Sequence, residues 1–246
     1  MEIVLVILFA VLPALCLFFF VYWQDKYKKE PLKLLWKGFG YGAIFAILIV
    51  TIIYKLVYKV FSPAPTVFGT IMDNLIGAAI PEELAKFFML WLLLRKNKYY
   101  DEYFDGIVYA ASIGLGFAAT ENIFYLFNAY LDGELVIEGI SRAFLAVPGH
   151  FIYAVVMGYF YAKASFDDKS QRKKNLALAI GIPILLHAID DSLLSISDFF
   201  GLYGDFLFFL VWVPFYIYLI VKSKRLGKGH LALDKGKREN SDISSA

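Results

Sequence analysis

Apolar residues run along this chain in long blocks, broken at intervals by short clusters of Lys, Glu, Asp, Asn, Gly and Pro. A helix on the surface of a soluble domain shows a single apolar stripe of period about 3.6. These blocks are apolar on all sides and reach the roughly 20 residues that a helix needs to cross a bilayer. The pattern predicts seven spans: Ile3–Trp23, Phe39–Tyr58, Thr70–Leu94, Asp105–Phe127, Ile140–Ala162, Asn175–Ile196 and Phe199–Val221. The start, MEIVLV, has no basic segment and no small-residue cleavage site follows before Trp23, so the first helix is expected to stay as an anchor.

The connections alternate in charge. QDKYKKEPLKLLWK, RKNKYYDEY, FDDKSQRKK and the tail KSKRLGKGH are basic, whereas FSPAPT, NAYLDGELVIEG and the turn at Ser197 and Asp198 carry no Lys or Arg. Positive residues stay on the cytoplasmic side, so the N-terminus is expected outside and the C-terminus in the cytoplasm. Composition agrees: 60% hydrophobic and 19% charged residues, with a mean hydropathy of +0.63, exclude an ordinary soluble domain. The expected architecture is an all-α, polytopic transmembrane bundle over residues 1–221. A basic tail, 222–246, is expected to be disordered. The net charge of +2 then belongs to loops and tail and does not mark a nucleic-acid surface. The aromatic stretches LCLFFFVYW and DFLFFLVWVPFYIYL are expected to face lipid. Gly38, Gly42, Gly114 and Gly116 are expected at close helix contacts. The lone Cys16 has no partner with which to form a disulfide.

The third to sixth blocks contain charges that such helices usually avoid: Glu82, Glu83, Lys86, Glu121, His150, His187, Asp190 and Asp191. Each ionised group at the bilayer centre costs a few kcal/mol or more unless it is paired or hydrated, and so such groups mark function. Lys86 is three and four residues from the two glutamates, within reach of both. The glutamates diverge by about 100°, so one can face a cavity while the other is held. Pro81 removes a backbone hydrogen bond just before them, which predicts a kink or break. His187 and Asp191 share a helical face. Counted from the span ends at about 1.5 Å per residue, all these groups fall between mid-membrane and the outer third. Five carboxylates against one lysine cannot all stay ionised in a low dielectric. Two neutralisers remain open: protons, which would tune the acids for acid–base work, or a divalent cation such as zinc, with Glu121, His150 and His187 as ligands and Asp191 as a further candidate. Asp190 is expected to reach a water-filled route or to pair with Arg142.

EELAK (Glu82–Lys86), FAATE (Phe117–Glu121) and HAIDD (His187–Asp191) read in order as EExxK, FxxxE and HxxxD, and the chain from Asp73 to Asp191 resembles the PrsW family of intramembrane proteases. PGHFIYAVVMGYF adds to the resemblance. The distantly similar CAAX-prenyl endopeptidases carry EExxxR, a histidine in place of Glu121, and HxxxN, so Lys86, Glu121 and Asp191 argue against a prenylated substrate. The resemblance implies a bacterial multi-pass plasma-membrane enzyme. It would make the site-1-type cut in a single-pass, membrane-anchored anti-sigma factor on the extracytoplasmic side, as part of a stress response. It further implies that Glu82 and Glu83 supply the base, that His187 with Asp191 polarises the carbonyl or holds the oxyanion, and that Glu121 assists. Lys86, Phe117 and Asp190 would support them. With a metal, Glu121, His150 and His187 would bind it and one of the paired glutamates would remain the base.

Other chemistries leave no matching trace. The chain has no HExxH. Ser112 in ASIGLG lacks the G-x-S-x-G context. GLYGD (Gly201–Asp205) has one residue too many for the GxGD of aspartyl enzymes. Two other classes stay on the table: a proton- or cation-coupled transporter or channel, opposed by the lack of paired halves, and a non-catalytic scaffold, opposed by the completeness of the charged set.

Overall fold

The structure, a computed structural model, describes residues 2–48, 51, 52, 55, 56 and 63–245. Among the described residues every element is helical. The helices are α1 (Glu2–Gln24), α2 (Leu32–Gly40), α3 (Val67–Met72), α4 (Ile80–Leu94), α5 (Tyr103–Asp132), α6 (Leu135–Phe144), α7 (Ala146–Phe166), α8 (Arg172–Ser197) and α9 (Gly201–Ser245). Two wide π-helical turns, Tyr41–Ala46 and Asp73–Ala79, follow α2 and α3. The second answers the break expected at Pro81: an extra residue per turn just upstream absorbs the hydrogen bond that proline cannot donate.

Among the described residues four helices are long and apolar enough to cross a membrane: Ile3–Gln24, Tyr103–Asp132, Leu135–Phe166 and Lys169–Ile196. They coincide with the first, fourth, fifth and sixth predicted spans. The third predicted span is the α3, π-turn and α4 unit, in which Asp73, Glu82, Glu83 and Lys86 dilute the apolar run. The second, Phe39–Tyr58, lies partly outside the described residues. The seventh begins in a 3-10 turn, Asp198–Phe200, and continues into α9.

The central element is α5, buried from Tyr103 to Ala119 and packed against α1, α2, α4 and α7. Small residues allow that central position. A methyl added at Gly116 would stand 2.0 Å from the Phe39 carbonyl oxygen, and one at Gly158 would stand 2.2 Å from that of Gly106. Gly116→Ala is therefore expected to cost about 1–3 kcal/mol through backbone displacement, read as a lower unfolding temperature in detergent.

Two sequence expectations are corrected. Large apolar side chains such as Ile3, Ile137 and Phe144 do face outward, but the aromatic stretches are not uniformly lipid-facing. Phe18 is buried and stacks on Trp36 with centroids 4.8 Å apart, and Trp212 and Tyr216 are buried against Ile152 and Tyr153. The stretch from Lys222, expected to be disordered, continues as helix in α9 to Ser245. It docks on the start of α5, where Asp234 accepts from the Tyr103 and Phe104 amides at 2.7 and 2.9 Å.

Candidate active site

Pro81 is the second residue of α4, and the first turn of that helix presents Glu82 and Glu83. One turn on, the buried Lys86 ammonium donates to Glu83 Oε1 at 2.8 Å and to Glu82 Oε2 at 3.3 Å. It also lies 3.0 Å from His150 Nδ1 on α7 and 4.1 Å from the centre of the Phe117 ring on α5. An ammonium has only hydrogens to offer, so His150 Nδ1 accepts and the ring proton sits on Nε2. That nitrogen donates to Glu121 Oε2, 2.9 Å away on α5.

From α8, His187 places Nδ1 2.9 Å from Glu83 Oε1. Its Nε2 lies 3.2 Å from Asp191 Oδ2 and 3.9 Å from Glu82 Oε2. The two imidazoles meet edge to face with centroids 5.3 Å apart. The expected i, i+4 pairing of His187 with Asp191 is thus present, and Glu82, Glu83, Lys86, Phe117, Glu121, His150, His187 and Asp191 converge from four helices.

Of the two arrangements expected for it, Asp190 takes the first and lines an open cavity. It does not pair with Arg142. It accepts from the Tyr153 hydroxyl and from Trp212 Nε1, because α9 presents its indole to that side of α8. Arg142, on α6, instead donates from Nη2 to Glu121 Oε2 at 2.9 Å and from Nε to Asn122 Oδ1 at 2.7 Å, and lies over the Tyr125 ring. Arg142, Asn122, Tyr125, Tyr153 and Trp212 were not picked out as site residues from the sequence. The available signal was that Arg142 is the lone basic residue in an otherwise acidic outer segment.

A cavity of about 570 Å³ opens beside these groups, lined by Glu121, Arg142, His150, Tyr153, His187 and Asp191 among others. Five carboxylates now face two fixed cations, Lys86 and Arg142, so the negative excess persists. Glu82, Glu83, His150 and His187 each offer a ligand atom, and these atoms lie within 4.8 Å of one another. Glu83 Oε2 is enclosed without a hydrogen-bond partner. Imidazole nitrogens and carboxylate oxygens at that spacing, with one buried oxygen unsatisfied, fit a zinc-class ion that takes the place of the Lys86 ammonium now contacting Glu82, Glu83 and His150. Glu121 lies outside the four-residue set and is held by Arg142.

The chain is similar to known intramembrane proteases. A family model described as "PrsW family intramembrane metalloprotease" matches residues 30–219. Protease PrsW of Geobacillus kaustophilus is 35% identical over 205 residues, covering 82% of this chain and 85% of the relative. Protease PrsW of Clostridioides difficile is 35% identical over 191 residues, covering 77% and 79%. Protease PrsW of Bacillus subtilis is 32% identical over 201 residues, covering 81% and 88%. No solved structure matches the chain.

Proposed function

Because the chain belongs to the PrsW family of intramembrane proteases, we propose that this protease cuts a membrane-anchored regulatory protein of the anti-sigma factor class near the extracytoplasmic face, with Glu82 as the base that activates water. The observation that carries the reading is the meeting of Glu82, Glu83, Glu121, His150, His187 and Asp191 from four helices, the last four of them lining one cavity.

The enzyme is a seven-span protein of the bacterial plasma membrane with its N-terminus outside and its C-terminus in the cytoplasm. Glu121 belongs to the C-terminal half of α5 and His150 to the first turns of α7. Both lie away from the ends of those helices that adjoin the basic connections, which supports a site nearer the outer leaflet.

The residues divide the work by their surroundings. Glu83 is fully enclosed and bonded to Lys86 and His187. It holds the lysine and fixes the His187 ring. Glu82 has the longer contacts and retains some exposure, so it takes the proton from the attacking water and returns it to the departing amine nitrogen. His187, steadied by Asp191, faces the scissile carbonyl. Glu121, anchored by Arg142, orients His150 as an acidic partner orients a metal-binding imidazole. Glu83, through its unpaired Oε2, and His187 would hold the metal, and His150 would join them through Nδ1 on exchanging the Lys86 ammonium for the ion. Once bound, a zinc-class ion supplies Lewis acidity toward the carbonyl and a more acidic water.

The test is cleavage of a single-pass anti-sigma factor-type protein co-reconstituted in proteoliposomes. Cleavage on the extracytoplasmic side of its span is expected. An intact anti-sigma factor alongside cleavage of unrelated single-pass proteins would refute the substrate class. Metal analysis is expected to find one ion per active chain. His150→Ala should lower occupancy by tenfold or more, as second-shell changes alone already cost about 10–100-fold in affinity. Full activity in protein stripped of metal would sink the metal-dependent version and leave the carboxylates alone to act.

A further inference from the structure

At the opposite end of α5 from Glu121 lies a second group of buried acids that the protease reaction does not use. Asp105 is sixteen residues from Glu121, about 24 Å along the helix at ~1.5 Å per residue. Asp25 follows α1, Glu30 precedes α2, Glu102 caps α5 and Asp105 sits in its first turn. All four are buried.

The backbone satisfies only one oxygen of each of two acids. Asp25 Oδ2 accepts from the Glu30 amide, and Asp105 Oδ2 accepts from the Asp101 and Glu102 amides. Asp25 Oδ1 and Asp105 Oδ1 are both enclosed with no hydrogen-bond donor, as is Glu30 Oε1. Asp25, Glu102 and Asp105 offer oxygens that all lie within 4.8 Å of one another.

Two of the neighbouring cations are turned elsewhere, and the third meets only Glu102. Lys28 bonds Asp101, and Lys29 donates to the Tyr22 carbonyl. Arg238, from the docked tail, takes Glu102 Oε1 at 2.6 Å. Among the described residues no Lys or Arg forms an ion pair with Asp25, Glu30 or Asp105. The tail adds a further acid, Asp234, to the same corner.

We propose that Asp25, Glu102 and Asp105 bind a hard divalent cation, of the Mg²⁺, Ca²⁺ or Mn²⁺ class, in a structural site distinct from the protease centre. The donors are all oxygen, which selects hard ions over zinc-class ones. Such an ion would tie the α1–α2 connection to the start of α5. Through Glu102 and Arg238 it would also link that corner to the docked tail.

The test uses the full-length protein in detergent, carrying His150→Ala to weaken metal binding at the protease centre and stripped by chelation. Bound Mn²⁺ is counted by electron paramagnetic resonance, with Mg²⁺ and Ca²⁺ as competitors. One Mn²⁺ per chain is expected. At about a hundredfold excess over Kd the unfolding temperature should rise by roughly 5 °C or more. Asp25→Asn and, separately, Asp105→Asn should weaken binding by at least tenfold. Asp25→Asn removes one of the crowded charges, so without metal it should melt no lower than the stripped parent, which separates loss of the site from loss of the fold. Absence of saturable binding, or binding undiminished in a folded Asp25→Asn protein, overturns the proposal and leaves protons as the neutraliser.

Discussion

Replacing Glu82 by glutamine is expected to lower kcat by about 10²–10⁴, with KM and the unfolding temperature close to the parent values. A general base must meet water and must be able to take up a proton. Glu83 Oε1 takes charge-assisted bonds from Lys86 at 2.8 Å and meets His187 at 2.9 Å, with no exposure at all. Glu82 is 7% exposed, and its contacts to Lys86 and His187 are 3.3 and 3.9 Å. Glutamine keeps the volume and an acceptor oxygen for Lys86, so the fold loses little while the proton acceptor is lost. Glu83→Gln should behave differently, lowering the unfolding temperature together with the rate, because it weakens the anchor of a buried lysine. Steady-state cleavage and thermal unfolding of both variants decide the matter. A Glu82→Gln enzyme within tenfold of the parent, beside an inactive Glu83→Gln enzyme of parental stability, would reverse the two roles.

The site was legible from the sequence because its residues are expensive where they lie. Charged groups in helices that are otherwise Leu, Ile, Phe and Ala stand out on composition alone, and the four-residue spacing of His187 and Asp191 states their common face. The side chains around them were less visible. Tyr153 and Trp212 look like ordinary aromatics of an apolar helix, and only the packing of α7 and α9 on α8 brings their donors to Asp190. Arg142 was visible but its partner was not, since Glu121 and Asp190 are equally plausible along the chain and the turn between α5 and α6 decides between them. The tail was misjudged for a different reason. Its inward face is Ser223, Gly227, His230 and Asp234, a helical stripe made of polar residues and glycine. A search for apolar periodicity passes over it. What docks it is hydrogen bonding to the first amides of α5, His230 stacking on Tyr159 with centroids 4.2 Å apart, and Leu231 packing against the apolar core.

Lys86→Met is expected to destabilise the bundle by about 3–5 kcal/mol, the largest stability effect of any substitution considered in this protein. Methionine matches the lysine stem and packs against Phe117, so no sizeable cavity opens. The loss is electrostatic: Glu82 and Glu83 remain buried side by side without the Lys86 ammonium, and His150 Nδ1 loses its donor. If the lysine serves mainly to balance Glu83, then adding Glu83→Gln to Lys86→Met should restore most of the lost stability, since a neutral amide no longer needs a countercharge. Unfolding of the two single variants and the double variant in detergent gives the coupling energy directly. A coupling near zero would mean that Lys86 and Glu83 act independently, and the division of labour between the paired glutamates would lose its physical basis. A large coupling with the double variant stable but inactive would place Lys86 where the geometry puts it, as the cation that lets two carboxylates coexist in the bilayer so that one of them can work.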